Sequence, residues 1–388
     1  MFMNPSVSAP GSNILSTWPV TQGSYSVKSG TSMAAPFVAG SAALVMQARG
    51  KNEATAKALQ SMFQNTAVSL PGSGANGNLL EPAAHQGAGL IQVYDAMRST
   101  SSMLLAELLL NDTTHFSGSH EVSVQNNGNQ TVTYALSHVV AGTAPTMANG
   151  EAIFGPQIKL VASSASVSIL PTSLTVAPGQ SFPVKIEIQA PTGVDSSQFP
   201  VFSGYIEAKG SDGITLRSTY LGVAAPLKDM KVIASTPAPT LKDKNNQAVS
   251  TNSTFTLNGP DFLHLVYSLT SGSPRLLVDL INPLPEAVIE PRRLFRFARK
   301  PILIKRANPE DTFAGQDVVG RIFQRDYVSR NKQRLTPVVN IQRFANGTAI
   351  PDGFYQVLLR SLKITGDATK EGDWESWTSP VIAVKSSP

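Results

Sequence analysis

The rhythm of hydrophobic and polar positions changes near residue 105. Before it the pattern is helical. Residues 31–48 are a continuous run of helix formers, apolar nearly all round through Met33, Ala34, Ala35, Phe37, Val38, Ala39, Ala42, Ala43, Leu44, Val45 and Met46. Such a pattern predicts a helix buried on every side. Pro36 falls in its first turn, where a missing N–H costs little, and Gly50 ends it. Asn52 has the chemistry of an N-cap for a second helix, with Ala54, Ala58, Leu59, Met62 and Phe63 on its apolar face. A third helix is predicted over residues 93–103. Residues 1–30 read as loop and short strand.

Beyond residue 105 the period becomes two. Residues 120–125, 131–136, 166–170, 174–176, 184–188, 204–208 and 215–220 predict strands, and Asn127-Gly128-Asn129 is a hairpin signal. Proline and glycine between such strands argue for an antiparallel β-sandwich. Residues 226–255 are rich in Pro, Lys, Asn and Thr and read as a boundary or long loop. Strand patterns resume at 261–267, 276–281, 338–344, 354–364 and 381–384, predicting a second sandwich. The boundaries expected are 1–105, 106–230 and 231–388. At roughly 150 residues per domain, a length of 388 residues agrees with two to three domains.

Composition adds little beyond exclusions. The hydrophobic fraction is 41% and the charged fraction 15%, which suits a chain that builds cores. A net charge of +5 is too mild to argue for nucleic acid. There is no cysteine, so disulfides and thiol chemistry are excluded. No unbroken run of 18 apolar residues occurs, so no membrane-spanning helix is expected. No phosphate loop, dinucleotide fingerprint or metal-ligand spacing is present, and neither metal nor cofactor is expected. Sequons at Asn111, Asn129, Asn252 and Asn346 are candidate N-glycosylation sites.

The segment that carries chemistry is Gly30-Thr31-Ser32-Met33-Ala34-Ala35-Pro36. It sets a serine at a glycine turn, at the start of the apolar helix. Helix N-termini hold unpaired N–H groups and partial positive charge. The Ser32 N–H can therefore donate to an oxyanion forming beside its own hydroxyl. A bare Gly-Thr-Ser before a helix is ordinarily an N-cap and nothing more. The full seven-residue run resembles, residue for residue, the serine box of the subtilisin family. Val7-Ser8-Ala9-Pro10-Gly11 with Ile14-Leu15-Ser16-Thr17 is similar to the stretch that precedes that box. Gln86-Gly87-Ala88-Gly89-Leu90-Ile91 with Val93-Tyr94-Asp95-Ala96 is similar to the closing segment of the catalytic domain. Further on, Leu174 to Pro191 and Phe199 to Val223 resemble the fibronectin-III-like domain of large cell-envelope subtilases. The last region, with Asp373-Trp374-Glu375-Ser376-Trp377, resembles a second β domain more faintly.

The resemblance implies a multidomain chain: part of an α/β subtilisin-like catalytic domain, then two antiparallel β-sandwich domains of fibronectin-III or immunoglobulin type. It implies a secreted serine endopeptidase with Ser32 as nucleophile and as backbone oxyanion donor, acting on proteins or peptides, with contact to a cell wall. The family's triad runs Asp, His, Ser along the chain. No histidine and no aspartate precedes Ser32. The five histidines, His85, His115, His120, His138 and His264, all follow it. His85, nearest in sequence, reads as a surface loop residue rather than a substitute base. Met1 to Pro5 lacks the charged and apolar regions of a signal peptide, and the expectation is that the enzyme's true beginning lies upstream. The first hundred residues are expected to be poorly stable alone, and this chain to be inactive by itself. The alternative is a non-catalytic β-sandwich scaffold or adhesion protein, or a remnant of an enzyme. Two other features have plain readings. The basic run from Arg292 to Lys300, with Lys305-Arg306, is a strand with a solvated basic face, and Trp374 and Trp377 pack into the last core.

Overall fold

The computed structural model describes residues 4–283, 312–331 and 337–386. They divide into two compact units, 1–226 and 227–388. The basic run from Arg292 to Lys300 and Lys305-Arg306 lies outside the described residues.

The first unit opens with an antiparallel hairpin, β1 (Ile14–Thr17) and β2 (Tyr25–Lys28). Four helices follow: α1 (Thr31–Arg49), α2 (Glu53–Thr66), α3 (Ala83–Gln86) and α4 (Val93–Arg98). Asn52 caps α2, its side chain accepting from the Thr55 N–H at 2.9 Å. The helix predicted over residues 93–103, α4, stops short at Arg98. Ser99-Thr100-Ser101-Ser102 are weak helix formers whose side chains compete for the backbone, and the Ser99 hydroxyl donates to the Ser101 carbonyl at 2.7 Å. The chain then extends as β3 (Ser101–Leu104).

Helix α1 is not buried on every side. Only Ser41 and Val45 are buried in it, and Phe37 and Leu44 are 44% and 50% exposed. One face packs through Val45 against Phe63 of α2, Ala96 of α4 and Ile91, which precedes α4. No other described element covers the opposite face. The hairpin beside it is equally open, with Leu15, Val20, Tyr25 and Val27 exposed. By length and composition α1 is apolar enough to cross a membrane, a test that core helices of soluble proteins and signal sequences also pass. The expectation of no spanning helix rests on an unbroken apolar run, which a helix diluted with small residues escapes.

Two sheets then enclose one core. The strands are β4 (Glu107–Asn111), β5 (Ser119–Asn126), β6 (Val132–Val140), β7 (Met147–Ala148), β8 (Glu151–Ala152), β9 (Ser166–Leu170), β10 (Ser173–Val176), β11 (Ser181–Gln189), β12 (Val201–Gly210) and β13 (Thr215–Val223). One sheet runs β10-β6-β12-β13-β4 and the other β3-β5-β11-β9; β7 and β8 pair with each other. Inward residues from both sheets, among them Met103, Leu110, Val124, Tyr134, Ile186, Phe202 and Tyr220, form the buried core. Alternation along β11 shows the cause directly: Val184, Ile186 and Ile188 point in, while Lys185 faces solvent.

Asn127-Gly128-Asn129 does not make a hairpin. β5 and β6 lie in different sheets, so the turn carries the chain across the core. Buried Asn126 holds this corner: its amide donates to the carbonyls of Gln130 (2.7 Å) and Val176 (2.9 Å), and its side-chain oxygen accepts from the Gly128 N–H (2.9 Å). A turn signal fixes a reversal, not the sheet that receives the next strand. Nor is the pairing purely antiparallel, because β4 joins β13 in parallel at the sheet edge.

The helical segment and this sandwich belong to one unit, and the polar bonds between them are specific. Asn65 of α2, 2% exposed, donates to the carbonyls of Met103 (3.0 Å) and Arg217 (2.8 Å) and accepts from the Met103 N–H (3.0 Å). It thereby completes the free edge of β3. Asn65→Leu strands those groups, each at about 1–3 kcal/mol when buried. The variant should lose at least about 2 kcal/mol, read as a lowered urea midpoint of helical far-UV ellipticity. A wild-type midpoint would show that the helical segment does not depend on this contact.

His138 of β6 supplies a pH response. Its Nε2 lies 2.8 Å from the Tyr220 hydroxyl, and burial holds its pKa below the ordinary 6.5. The unfolded chain therefore binds a proton that the folded chain refuses. The stability this lends is present above pH 6.5 and is lost as the pH falls through the folded pKa. The melting temperature of the first unit should drop on acidification from about pH 7.5 to about pH 5, and His138→Gln should flatten that slope. An unchanged slope in the variant would remove His138 as the cause.

The second unit repeats the two-sheet plan. Its strands are β14 (Thr240–Lys242), β15 (Ser253–Phe255), β16 (Leu263–Val266), β17 (Ser273–Ile281), β18 (Thr312–Phe313), β19 (Gln316–Val328), β20 (Val338–Ile341), β21 (Gly353–Leu362), β22 (Trp374–Thr378) and β23 (Ile382–Val384). A small sheet, β14-β16-β20, faces a larger one, β15-β23-β21-β17-β19-β18, with β22 on β21. Leu241, Leu265, Ile341, Val278, Leu359 and Ile382 meet between them. β15 joins β23 in parallel, again at an edge. Trp377 packs on this core, and Trp374 on the neighbouring cluster of Ile281, Phe313 and Leu358.

Candidate active site

Ser32 is the second residue of α1, after the cap residue Gly30. Its side chain is exposed. The Met33 N–H already reaches back to the Gly30 carbonyl at 3.0 Å. The N–H of Ser32 belongs to the first turn, which has no acceptor within its own helix. The first turn of the helix carries no acidic residue to neutralise the dipole there.

The turn itself is fixed by a close approach of two backbone segments. Gly30 sits at φ 154°, which side-chain-bearing residues rarely adopt. Its N–H donates to the Gly11 carbonyl at 2.7 Å. A Cβ on Gly11 would stand 2.7 Å from the Gly30 oxygen and 3.0 Å from the Ala34 Cβ. The Asn13 N–H adds a bond to the Ser29 hydroxyl at 2.9 Å.

The same segment reaches the closing motif at its other end. The Ser8 N–H donates to the Gly89 carbonyl (2.8 Å), and the Ile91 N–H to the Ser8 carbonyl (2.9 Å). Buried Gln86 ties this motif down, accepting from the Leu70 N–H at 2.8 Å and donating to the Glu81 carbonyl at 2.6 Å. The three stretches singled out in the sequence are thus joined: residues 8–11 bridge the serine turn to residues 86–91. In the sequence Gly11 is legible only as part of the stretch that precedes the serine box; its role as the wall behind Gly30 needs the fold.

None of the five histidines bonds to Ser32. His85 pairs with Glu81 at 2.5 Å, His115 with Asp112 at 2.7 Å, and His120 lies 2.8 Å from the Ser117 carbonyl. His138 faces Tyr220, and His264 lies 3.3 Å from Asn246. Among the described residues no group of three or more His, Cys, Asp or Glu could hold a metal. Of the sequon asparagines, Asn129 and Asn346 are exposed in turns, while Asn111 and Asn252 are half-buried.

Residues 1–89 match the model of the subtilase family, and residues 108–220 that of an Fn3-like domain. The chain is 29% identical over 279 residues to the PIII-type proteinase of Lactococcus lactis subsp. cremoris (strain SK11), covering 62% of this chain and 14% of that protein. It is 36% identical over 103 residues to the minor extracellular protease Vpr of Bacillus subtilis (strain 168), covering 26% of this chain and 12% of the relative. Subtilisin-like protease 10 of Arthroderma otae is 44% identical over 72 residues, covering 19% of this chain and 18% of that protein. The chain thus spans under a fifth of the length of each of these relatives. The match to the subtilase model spans the serine turn and the bridging residues 8–11 with their contact at Gly89.

Proposed function

We propose that this chain carries the nucleophile of a secreted subtilisin-like serine endopeptidase. The supporting observation is the exposed Ser32 at the amino end of a 19-residue helix, behind a glycine turn locked against Gly11. In the reaction the Ser32 Oγ attacks a scissile peptide carbonyl while a histidine base takes its proton. The oxyanion that forms is met by the Ser32 N–H. Collapse expels the amine, which takes the proton back, and leaves an acyl ester on Ser32 that water then cleaves. None of the five histidines bonds to Ser32, so this reading requires a base, an aspartate that orients it and a side-chain oxyanion donor supplied by other residues. The exposed apolar faces of α1 and the hairpin are where such residues would be packed. The β-rich regions position protein substrates.

The experiment is to join the chain to the aspartate- and histidine-bearing portion of a subtilase relative and treat it with a fluorophosphonate. Labelling at Ser32, with peptide hydrolysis abolished in Ser32→Ala, is the expected result. A folded hybrid that stays unlabelled would favour the other reading, a non-catalytic scaffold or adhesion protein.

A further inference from the structure

A second site of a different kind lies at the opposite end of α1. A cavity of about 440 Å³ opens there, lined by the last turn of α1, by α2 and α4, and by the β5–β6 corner. Its volume is within the range of small-molecule sites. Arg49 and Lys57 line it, and no carboxylate does. The Arg49 Nε is buried and has no hydrogen-bond partner among the described residues. An N–H of a cation left unpaired away from water is costly, and the natural relief is an anionic acceptor that takes the guanidinium fork. Among the described residues Lys57 is held by an exposed pair with Glu53 at 2.7 Å, which contributes little and leaves the ammonium able to turn inward.

The rest of the lining narrows the ligand. Among the described residues the side chains of Ser61 and Asn127 make no hydrogen bond, and that of Gln125 only accepts a long one, 3.5 Å, from Ser102. These groups offer hydroxyl and amide partners around an apolar floor at Met62. A sugar ring has matching chemistry, with hydroxyls at its edge and C–H groups on its face. We propose that this cleft binds an acidic sugar, its carboxylate on Arg49 and its ring hydroxyls on Ser61, Gln125 and Asn127. This goes beyond the peptidase reading and does not depend on Ser32.

The test is calorimetric titration of the full chain with glucuronate, glucose, acetate and glycylglycine. Saturable binding of glucuronate is expected, with glucose and acetate each at least tenfold weaker. Arg49→Met should weaken glucuronate at least tenfold. Exposed Asn127→Asp, which sets a carboxylate at the rim without touching a core, should do the same and guards against a folding defect in the first variant. Ser32→Ala should bind as the parent does. Absence of saturable glucuronate binding would overturn the proposal. So would acetate or glycylglycine binding as tightly as glucuronate, or unchanged affinity in a folded Arg49→Met.

Discussion

Taken alone, the chain should react with a fluorophosphonate at Ser32 about a million times more slowly than the hybrid that supplies a histidine base. The magnitude is that of subtilisin itself, where loss of the catalytic histidine lowers kcat by about 2 × 10⁶. The physical reason is proton transfer. A serine hydroxyl at neutral pH is a weak nucleophile until a neighbouring base removes its proton. The helix terminus can stabilise the oxyanion once formed, but it accepts no proton. Every histidine of the chain is already engaged elsewhere, His85 with Glu81 at 2.5 Å. Rapid labelling of the lone chain, abolished by Ser32→Ala, would mean that a base within these residues does reach the serine. His85→Ala in the same assay would then identify or dismiss the nearest one in sequence.

Replacing Asp279 with alanine should destabilise the second unit by about 3–5 kcal/mol. Asp279 is fully buried in β17. One carboxylate oxygen accepts from the Arg321 Nε at 3.0 Å, and the other from Arg360. Arg360 is itself 4% exposed, between the rings of Phe313 and Trp374, at 5.1 and 5.6 Å. Removing the carboxylate leaves a guanidinium enclosed without its counter-charge, whereas Arg321, nearer the surface, can recover water. The double variant Asp279→Leu with Arg360→Leu removes both charges and should regain most of the loss, since a matched apolar pair has no desolvation to offset. The urea midpoint followed by tryptophan emission measures this, as two of the three tryptophans, Trp374 and Trp377, lie in this unit. A loss below about 1 kcal/mol would place the carboxylate among weak surface pairs instead.

The same aspartate marks where sequence reading stops. In β17 it appears as one polar residue inside Leu276 to Ile281, and the strand is legible without it. Its partners stand 42 and 81 residues further along, at no spacing that a local pattern encodes. β19 was missed for a related reason: the run from Gln316 to Val328 shows no clean alternation, because its partner β17 and not its own pattern extends it. Missing the corner at Asn127 had the same origin. The turn residues say that the chain reverses, while the choice between two sheets is made by other strands, among them β11 and β12, more than fifty residues further along.

What the sequence by itself determined is the local chemistry. The serine turn, the helix behind it and many of the alternating strands of both β-rich regions follow from neighbours a few residues apart, through propensity, capping and period, and that no histidine precedes Ser32 is read directly from the order of residues. Only the tertiary structure decided that Gly11 walls the serine turn, that Asn65 binds α2 to the edge of β3, that Asp279 neutralises two arginines, and that one face of α1 stays open. Burial, sheet membership and charge pairing depend on which distant surfaces meet, and that is settled by packing the whole chain rather than by any window along it.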